Sequence, residues 1–447
     1  MVELEKDKSG YLIYSASKSV LYLTVVAAVT GSALLTFDVK TFTVSPFRAL
    51  IPLLWVLFVA DVFFRRKALS AHNYKNVRYY LFFLALWISY AILSLAWADS
   101  RVAAVKDILL LFTGLSLIFF LVLYFTKLED LKRLYYLWLV TLVVTIGIGY
   151  WNIFTGKQLF EHPEIPAAFR ALYMHIPRAT FFNQNDYATY LALSIPFVLA
   201  FIRFVGNKLG MVAGLALIVL VFHQLLLTNS RANYVAIIIG VVFWFIFLLR
   251  GKDKLKVLAI AILLVLILFV ASPGQMHRAS ILVQKQLTSI FVNPDPVDDT
   301  LGVRERLIAN CLIFLKQHYG FGVGAGNVEY HMAKFAVYDN EGVLDAHNWW
   351  VEVATNYGIF IFISYLMFYC GLLVRIFRAY FKLESPFEKM IGESMLVGFF
   401  IFPVAATSSS SIMGFGPQWF FFAFSLAFLS YYRNKSISDS TPKPSTI

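Results

Sequence analysis

Runs of roughly 20 apolar residues recur along this chain, and their recurrence limits its fold more than any other feature. A helix needs about 20 such residues to cross a hydrocarbon core of about 30 Å. Within lipid, every backbone N–H and C=O must be satisfied inside the segment itself. Twelve runs meet the requirement: 19–37, 44–64, 79–98, 106–126, 134–154, 187–204, 210–228, 232–249, 255–272, 353–374, 390–407 and 412–432. Composition agrees, because 60% of the 447 residues are hydrophobic and only 14% are charged, against about 25% charged in soluble domains. A water-soluble fold, a disordered chain, a nucleic-acid binder and a secreted disulfide scaffold are thereby excluded. The two cysteines, Cys311 and Cys370, fall in unlike settings and are not expected to pair. The fold class is an all-α polytopic membrane protein.

Charge in the spacers gives orientation. Most of the 38 basic residues lie in seven segments on one side of the spans, including 65–67, 250–256 and 375–389. The positive-inside rule then places both termini in the cytoplasm. The expected plan is a cytoplasmic N-terminus at 1–18, spans one to nine over 19–272 with an external loop at 155–186, a large external loop at 273–352, spans ten to twelve over 353–432, and a disordered cytoplasmic tail at 433–447. No cleavable signal is expected after MVELEKDKSGYLIYSASK, since the following apolar run lacks a small-residue cleavage site.

Ion and proton pathways need ionisable side chains at mid-bilayer depth. The spans offer few: Asp61 and Glu393 near cytoplasmic ends, and His223, read as a helix-contact residue. No similarity between halves marks a transporter built from repeats. The polar chemistry gathers on the outer side instead.

Arg231 sits in the short turn of LLLTNSRANYVAIIIG between spans seven and eight. It serves equally as a side chain snorkelling to headgroups or as a fixed cation for phosphates. In GVRERLIANCLIFLKQ, a helical wheel puts Arg304 in the centre of an apolar arc formed by Leu307, Ile308, Cys311, Leu312, Phe314 and Leu315. Arg306 points nearly opposite. A basic residue on a buried face needs a carboxylate or a ligand anion, whereas Arg306 reads as a surface charge. The run GFGVGAGN at 320–327 lacks the Lys-Ser/Thr of a phosphate loop and reads as a helix stop and flexible turn. His347 precedes the helix that leads into span ten, suited to proton transfer near neutral pH or, with Asn348, to a helix cap. Asp345 stands two residues before it, and no second ligand stands at a metal spacing. Arg178, Asn183, Asn185 and Asp186 precede span six as a polar cap or as amides suited to sugar hydroxyls.

Three segments together resemble the O-antigen ligase superfamily, which includes Wzy-type polymerases. They are TNSRAN at 228–233, Arg304 followed by GVG at 322–324, and HNWW at 347–350 running into VEVATNYGIF. FFNQNDYATYLAL at 181–193 also resembles that family's Asn-containing segment. The family's usual Trp after the loop arginine is Ile308 here, and its usual Pro is Tyr319.

The resemblance implies a GT-C-like membrane glycosyltransferase without cofactor or metal. Its donor would be glycan on undecaprenyl pyrophosphate, and its acceptor a glycan or lipid-linked group at the outer face of the bacterial cytoplasmic membrane. It implies catalytic roles for Arg231, Arg304 and His347. Arg178, Asn183, Asn185, Arg306 and Asn348 are secondary candidates for substrate contact. Ligase and polymerase remain alternatives within the family, as does an O-linked protein oligosaccharyltransferase. A flippase or exporter of lipid-linked glycan is the rival from another class.

Overall fold

The structure is a computed structural model that describes residues 2–31, 33–39, 42–65, 74–159, 174–291, 300–409 and 412–440. It is helical nearly throughout. In chain order come α1 (Val2–Val29), a hairpin of β1 (Phe37–Val39) and β2 (Phe42–Val44), α2 (Pro46–Arg65), α3 (Arg78–Leu93), α4 (Arg101–Tyr124) and α5 (Leu128–Thr155). There follow α6 (Gln184–Phe204), α7 (Lys208–Leu227), α8 (Arg231–Phe243), α9 (Lys252–Ala271) and α10 (Pro273–Phe291). The chain ends with α11 (Thr300–Gln317), α12 (Val328–Phe335), α13 (Trp349–Tyr380), α14 (Pro386–Ala405) and α15 (Gly416–Ser440).

Among the described residues, ten helices are long and apolar enough to cross a membrane. They are α1 to α9 and α13. The segments read as spans eleven and twelve are helices too, but α14 carries Glu388, Lys389 and Glu393, and α15 ends in a polar stretch. Both lie deep in the bundle. Burial against protein rather than lipid explains why they tolerate polar groups.

Local signals set several helix starts. Asn183 accepts from the Asp186 N–H at 2.8 Å, Asn207 from the Gly210 N–H at 2.7 Å, and Asn348 from the Trp350 N–H at 3.1 Å. Each satisfies a donor that the helix leaves open. The core is aromatic: Trp138 stacks on Phe197 at 4.8 Å and on Phe420 at 5.3 Å, joining α5, α6 and α15. Such ring pairs supply large contact areas with fixed geometry. His223 bridges Tyr150 at 3.0 Å and Ser272 at 2.9 Å, a contact between helices.

Four expectations change. The first span ends at Val29 rather than at 37, because Phe37 pairs with Val44 in the hairpin, a small sheet in an otherwise helical fold. Residues 433–440, expected to be disordered, continue α15, with Arg433 donating to the Asn76 carbonyl at 2.8 Å and Lys435 paired with Glu388 at 2.8 Å. The rest of that tail, 441–447, lies outside the described residues. The segment 273–352 contains α10, α11 and α12, although 292–299 lies outside the description, as does 160–173 of the other long loop. Finally, Asp107, not among the few ionisable span residues singled out from the sequence, is a buried carboxylate inside α4.

Candidate active site

Three separate segments meet at one end of the bundle. Arg231 is the first residue of α8, set by the turn Thr228–Ser230, where Asn229 takes a left-handed φ of 55°. Two residues on, buried Asn233 donates to Ser230 and Ser408 at 3.0 Å and to Thr189 at 3.3 Å. That amide pins the start of α8 to α6 and to the turn after α14.

Arg304 lies near the start of α11. The apolar side of this helix buries Leu307, Cys311 and Phe314 completely, while Leu312 is 55% exposed. The arc read from the wheel is therefore narrower than drawn, but Arg304 shares its buried side. Burial, and then the nearby Arg231 charge, hold the Arg304 guanidinium below its ordinary pKa. Among the described residues no carboxylate pairs with it. Arg306, one turn face away, pairs with Glu341 at 2.6 Å and donates to the Asp339 carbonyl at 2.9 Å.

His347 adopts a left-handed φ of 48°, uncommon for a residue with a side chain. The turn throws its imidazole inward just before Asn348 caps α13. Burial, and then the Arg304 charge, push its pKa down to about 4, so the ring is neutral at pH 7. Its Nδ1 is buried and has no partner among the described residues.

A group of carboxylates begins at Asp345, two residues before His347. Burial and then Glu329, close enough to share a hydrogen bond, push Asp345 up to about 7. Asp186 adds to the same field. Glu352 lies within electrostatic reach of Asp107, Asp345 and Glu329. Asp107 accepts from the Tyr357 hydroxyl, and Asp186 from Ser409. From the sequence only Asp345 stood out, by its place two residues before His347, while Glu329, Glu352 and Asp107 did not. The one available signal was an acidic residue within an apolar run, as in VKDILLLF and WWVEVA. Among the described residues, no group of three or more His, Cys, Asp or Glu could hold a metal ion.

The remaining candidates are placed as follows. Asn183 and Asn348 are committed to caps, with Asn183 Nδ2 also donating to Asp186 at 2.8 Å. Asn185 is half-buried in the first turn of α6, and Arg178 is half-buried before it, its pKa lowered by burial.

The glycine run 320–327 is clamped, not loose. Val323 N–H donates to the Thr355 carbonyl at 2.8 Å and Gly324 N–H to that of Asn356 at 3.1 Å. These bonds meet α13 where it breaks at Gly358, with φ 79°. A Cβ on Gly322, itself at φ 85°, would stand 2.5 Å from the Gly358 nitrogen, so only glycine permits this approach. The clamp ties the end of α11 to the start of α13, and so Arg304 to His347.

Beside the start of α8 runs an apolar groove of about 830 Å3, lined by Leu226, Tyr234, Ile238, Leu264 and Met276 among others. It lies between α7, α8, α9 and α10.

Fold and site together define a polytopic membrane protein with two half-buried arginines and a neutral histidine beside an apolar groove. Residues 216–366, which carry all three, match the O-antigen ligase family. Over 434 residues, 95% of this chain and 86% of the relative, the sequence is 29% identical to the teichuronic acid biosynthesis protein TuaE of Bacillus subtilis (strain 168). The chain is thus similar to the O-antigen ligase family over residues 216–366 and to a teichuronic acid biosynthesis protein over most of its length.

Proposed function

We propose that this protein transfers or polymerises glycan from an undecaprenyl-pyrophosphate donor onto an acceptor at the outer face of the bacterial cytoplasmic membrane, using Arg231, Arg304 and His347. The observation that carries the reading is a half-buried Arg304 beside Arg231, with no carboxylate pairing Arg304 among the described residues. Two like charges held together in a low-dielectric site favour an anion, and a pyrophosphate offers one of matching fork geometry. The apolar groove at the start of α8 suits the polyprenyl chain of such a donor.

In the reaction, an acceptor hydroxyl attacks the anomeric carbon as the bond to pyrophosphate breaks. The leaving pyrophosphate oxygen takes the electron pair and is stabilised by the two guanidinium groups. His347, neutral at pH 7, accepts the acceptor's proton. The anion also offsets the Arg304 charge that depresses His347, so donor binding raises the basicity of the imidazole. Direct displacement inverts the anomeric centre.

The teichuronic acid relative favours polymerisation of a surface polysaccharide over ligation to lipid A-core. The test is the purified full chain with undecaprenyl-pyrophosphate glycan, with binding and turnover measured separately. Arg304→Ala should lose donor binding, and activity should survive EDTA. Full donor binding by Arg304→Ala, or loss of activity in EDTA with recovery on adding a divalent ion, would overturn the reading.

A further inference from the structure

A second groove, of about 360 Å3, runs between α3 and α13 at the opposite end of both helices from the 320–327 clamp. One wall is Tyr79, Tyr80, Phe83 and Leu86, and the other includes Phe368 and Arg375. On α3 the wall follows a spacing of one, three and four residues, the face of a helix. Gly371 keeps the groove open, since a Cβ there would already stand 3.2 Å from the Tyr80 hydroxyl. Two of the lining side chains, Phe82 and Met367, are 70% and 64% exposed and face the lipid side.

Arg375 closes one end. Its guanidinium lies over the Tyr80 ring at 5.2 Å, and its Nη1 is buried with no partner among the described residues. A snorkelling arginine would carry its donors to water; this one holds a donor inside. None of the groove-lining residues is acidic. At the same end Arg78 is held by Tyr79, its Nη2 donating to the hydroxyl at 2.8 Å. The mouth is thus cationic and the remainder apolar.

Length adds a further constraint. From Ser364 to Arg375 the α13 wall rises about 16 Å at 1.5 Å per residue, close to half of a hydrocarbon core of about 30 Å. A chain lying in the groove therefore stays within one leaflet. We infer that this groove binds an anionic phospholipid of the leaflet opposite the Arg231–Arg304–His347 site, with its phosphate on Arg375 and one acyl chain between α3 and α13. The buried guanidinium atom gains the acceptor that it lacks, and the phosphate gains a charged partner of low hydration.

The full-length protein, purified and delipidated in detergent, can be titrated with phosphatidylglycerol or phosphatidylcholine and the bound lipids counted by native mass spectrometry. Wild type should retain phosphatidylglycerol at least tenfold better than phosphatidylcholine. Arg375→Ala should reduce that preference several-fold, and Gly371→Leu, which fills the groove without touching the charge, should do the same. Circular dichroism verifies that each variant is folded. Should Arg375→Ala misfold, the Gly371→Leu result decides. Equal retention of the two lipids by wild type, or full retention of phosphatidylglycerol by either folded variant, would overturn the inference.

Discussion

Two clusters of buried charge stand in the same bundle and are built on opposite principles. Around Glu393, near the far end of α14, every charge is answered: Trp244 and Tyr380 each donate to its carboxylate at 2.6 Å, and Arg203 pairs with it and with Asp253 at 3.0 Å. Around Arg304, two cations crowd together, no carboxylate pairs Arg304 among the described residues, and His347 keeps a buried nitrogen without a partner. The first arrangement is complete as it stands and holds α6, α9, α13, α14 and the segment just after α8 in register. The second leaves Arg304 without a carboxylate, which the anionic donor proposed above would supply. Buried charge alone does not mark function; the proposed site is marked by Arg304, which no carboxylate pairs among the described residues.

The sharpest way to break this contrast is a pair of substitutions. Arg304→Ala should reduce glycan transfer to background while leaving the melting temperature unchanged or raised, since it relieves a repulsion. Glu393→Ala should lower stability by about 3–5 kcal/mol, the usual cost of stranding one partner of a buried pair, and is read by thermal unfolding in detergent. If both variants lose stability equally, the two clusters are not different in kind.

His347→Ala should come next in size, with turnover down by about 10²–10⁴-fold and donor binding largely intact. Loss of donor binding as complete as in Arg304→Ala would make the histidine a phosphate ligand and remove it from proton transfer. The imidazole should titrate near pH 4 in the free protein and higher in Arg304→Ala, as isotope-edited NMR of the single ring would show.

A smaller effect follows from Asp345, whose folded pKa is raised to about 7. Its ionised form is disfavoured in the folded state, so the penalty grows as pH rises from the ordinary carboxyl range through 7. Asp345→Asn should therefore raise the melting temperature more at pH 8 than at pH 5. A gain that is equal at both values would mean that the carboxyl is not crowded. Smallest of all is Arg306→Ala, which removes a partly exposed pair with Glu341 worth about 0–1 kcal/mol and should retain substantial activity.

The helices themselves were legible from apolar runs, because lipid imposes one length and one satisfied backbone on every span. Arg304 and Arg306 were distinguishable from a wheel alone, since α11 is a regular helix with one buried side. The carboxylates were not, because Asp107, Glu329, Asp345 and Glu352 come from four elements that meet only after folding. Nor was the clamp at 320–327, since its partner is a break at Gly358 hidden inside a sequence that otherwise reads as continuous helix. The first span was drawn too long for a related reason: the stretch 33–37 is as apolar as a helix end, but Phe37 pairs as a strand.

The clamp also separates the precision of the site from the length of the chain that connects it. Arg304 and His347 are positioned by bonds from 323 and 324 to 355 and 356, immediately after α11 and just inside α13. The residues between Phe335 and Ala346 form a longer connection that is itself held to α11, where Asn310 donates to the Tyr338 carbonyl and accepts from the Val337 N–H, each at 2.9 Å. Changes of length are better tolerated at the exposed Glu341–Gly342 turn of that connection, whereas a single added residue between Tyr319 and Asn327 would pull the arginine away from the histidine.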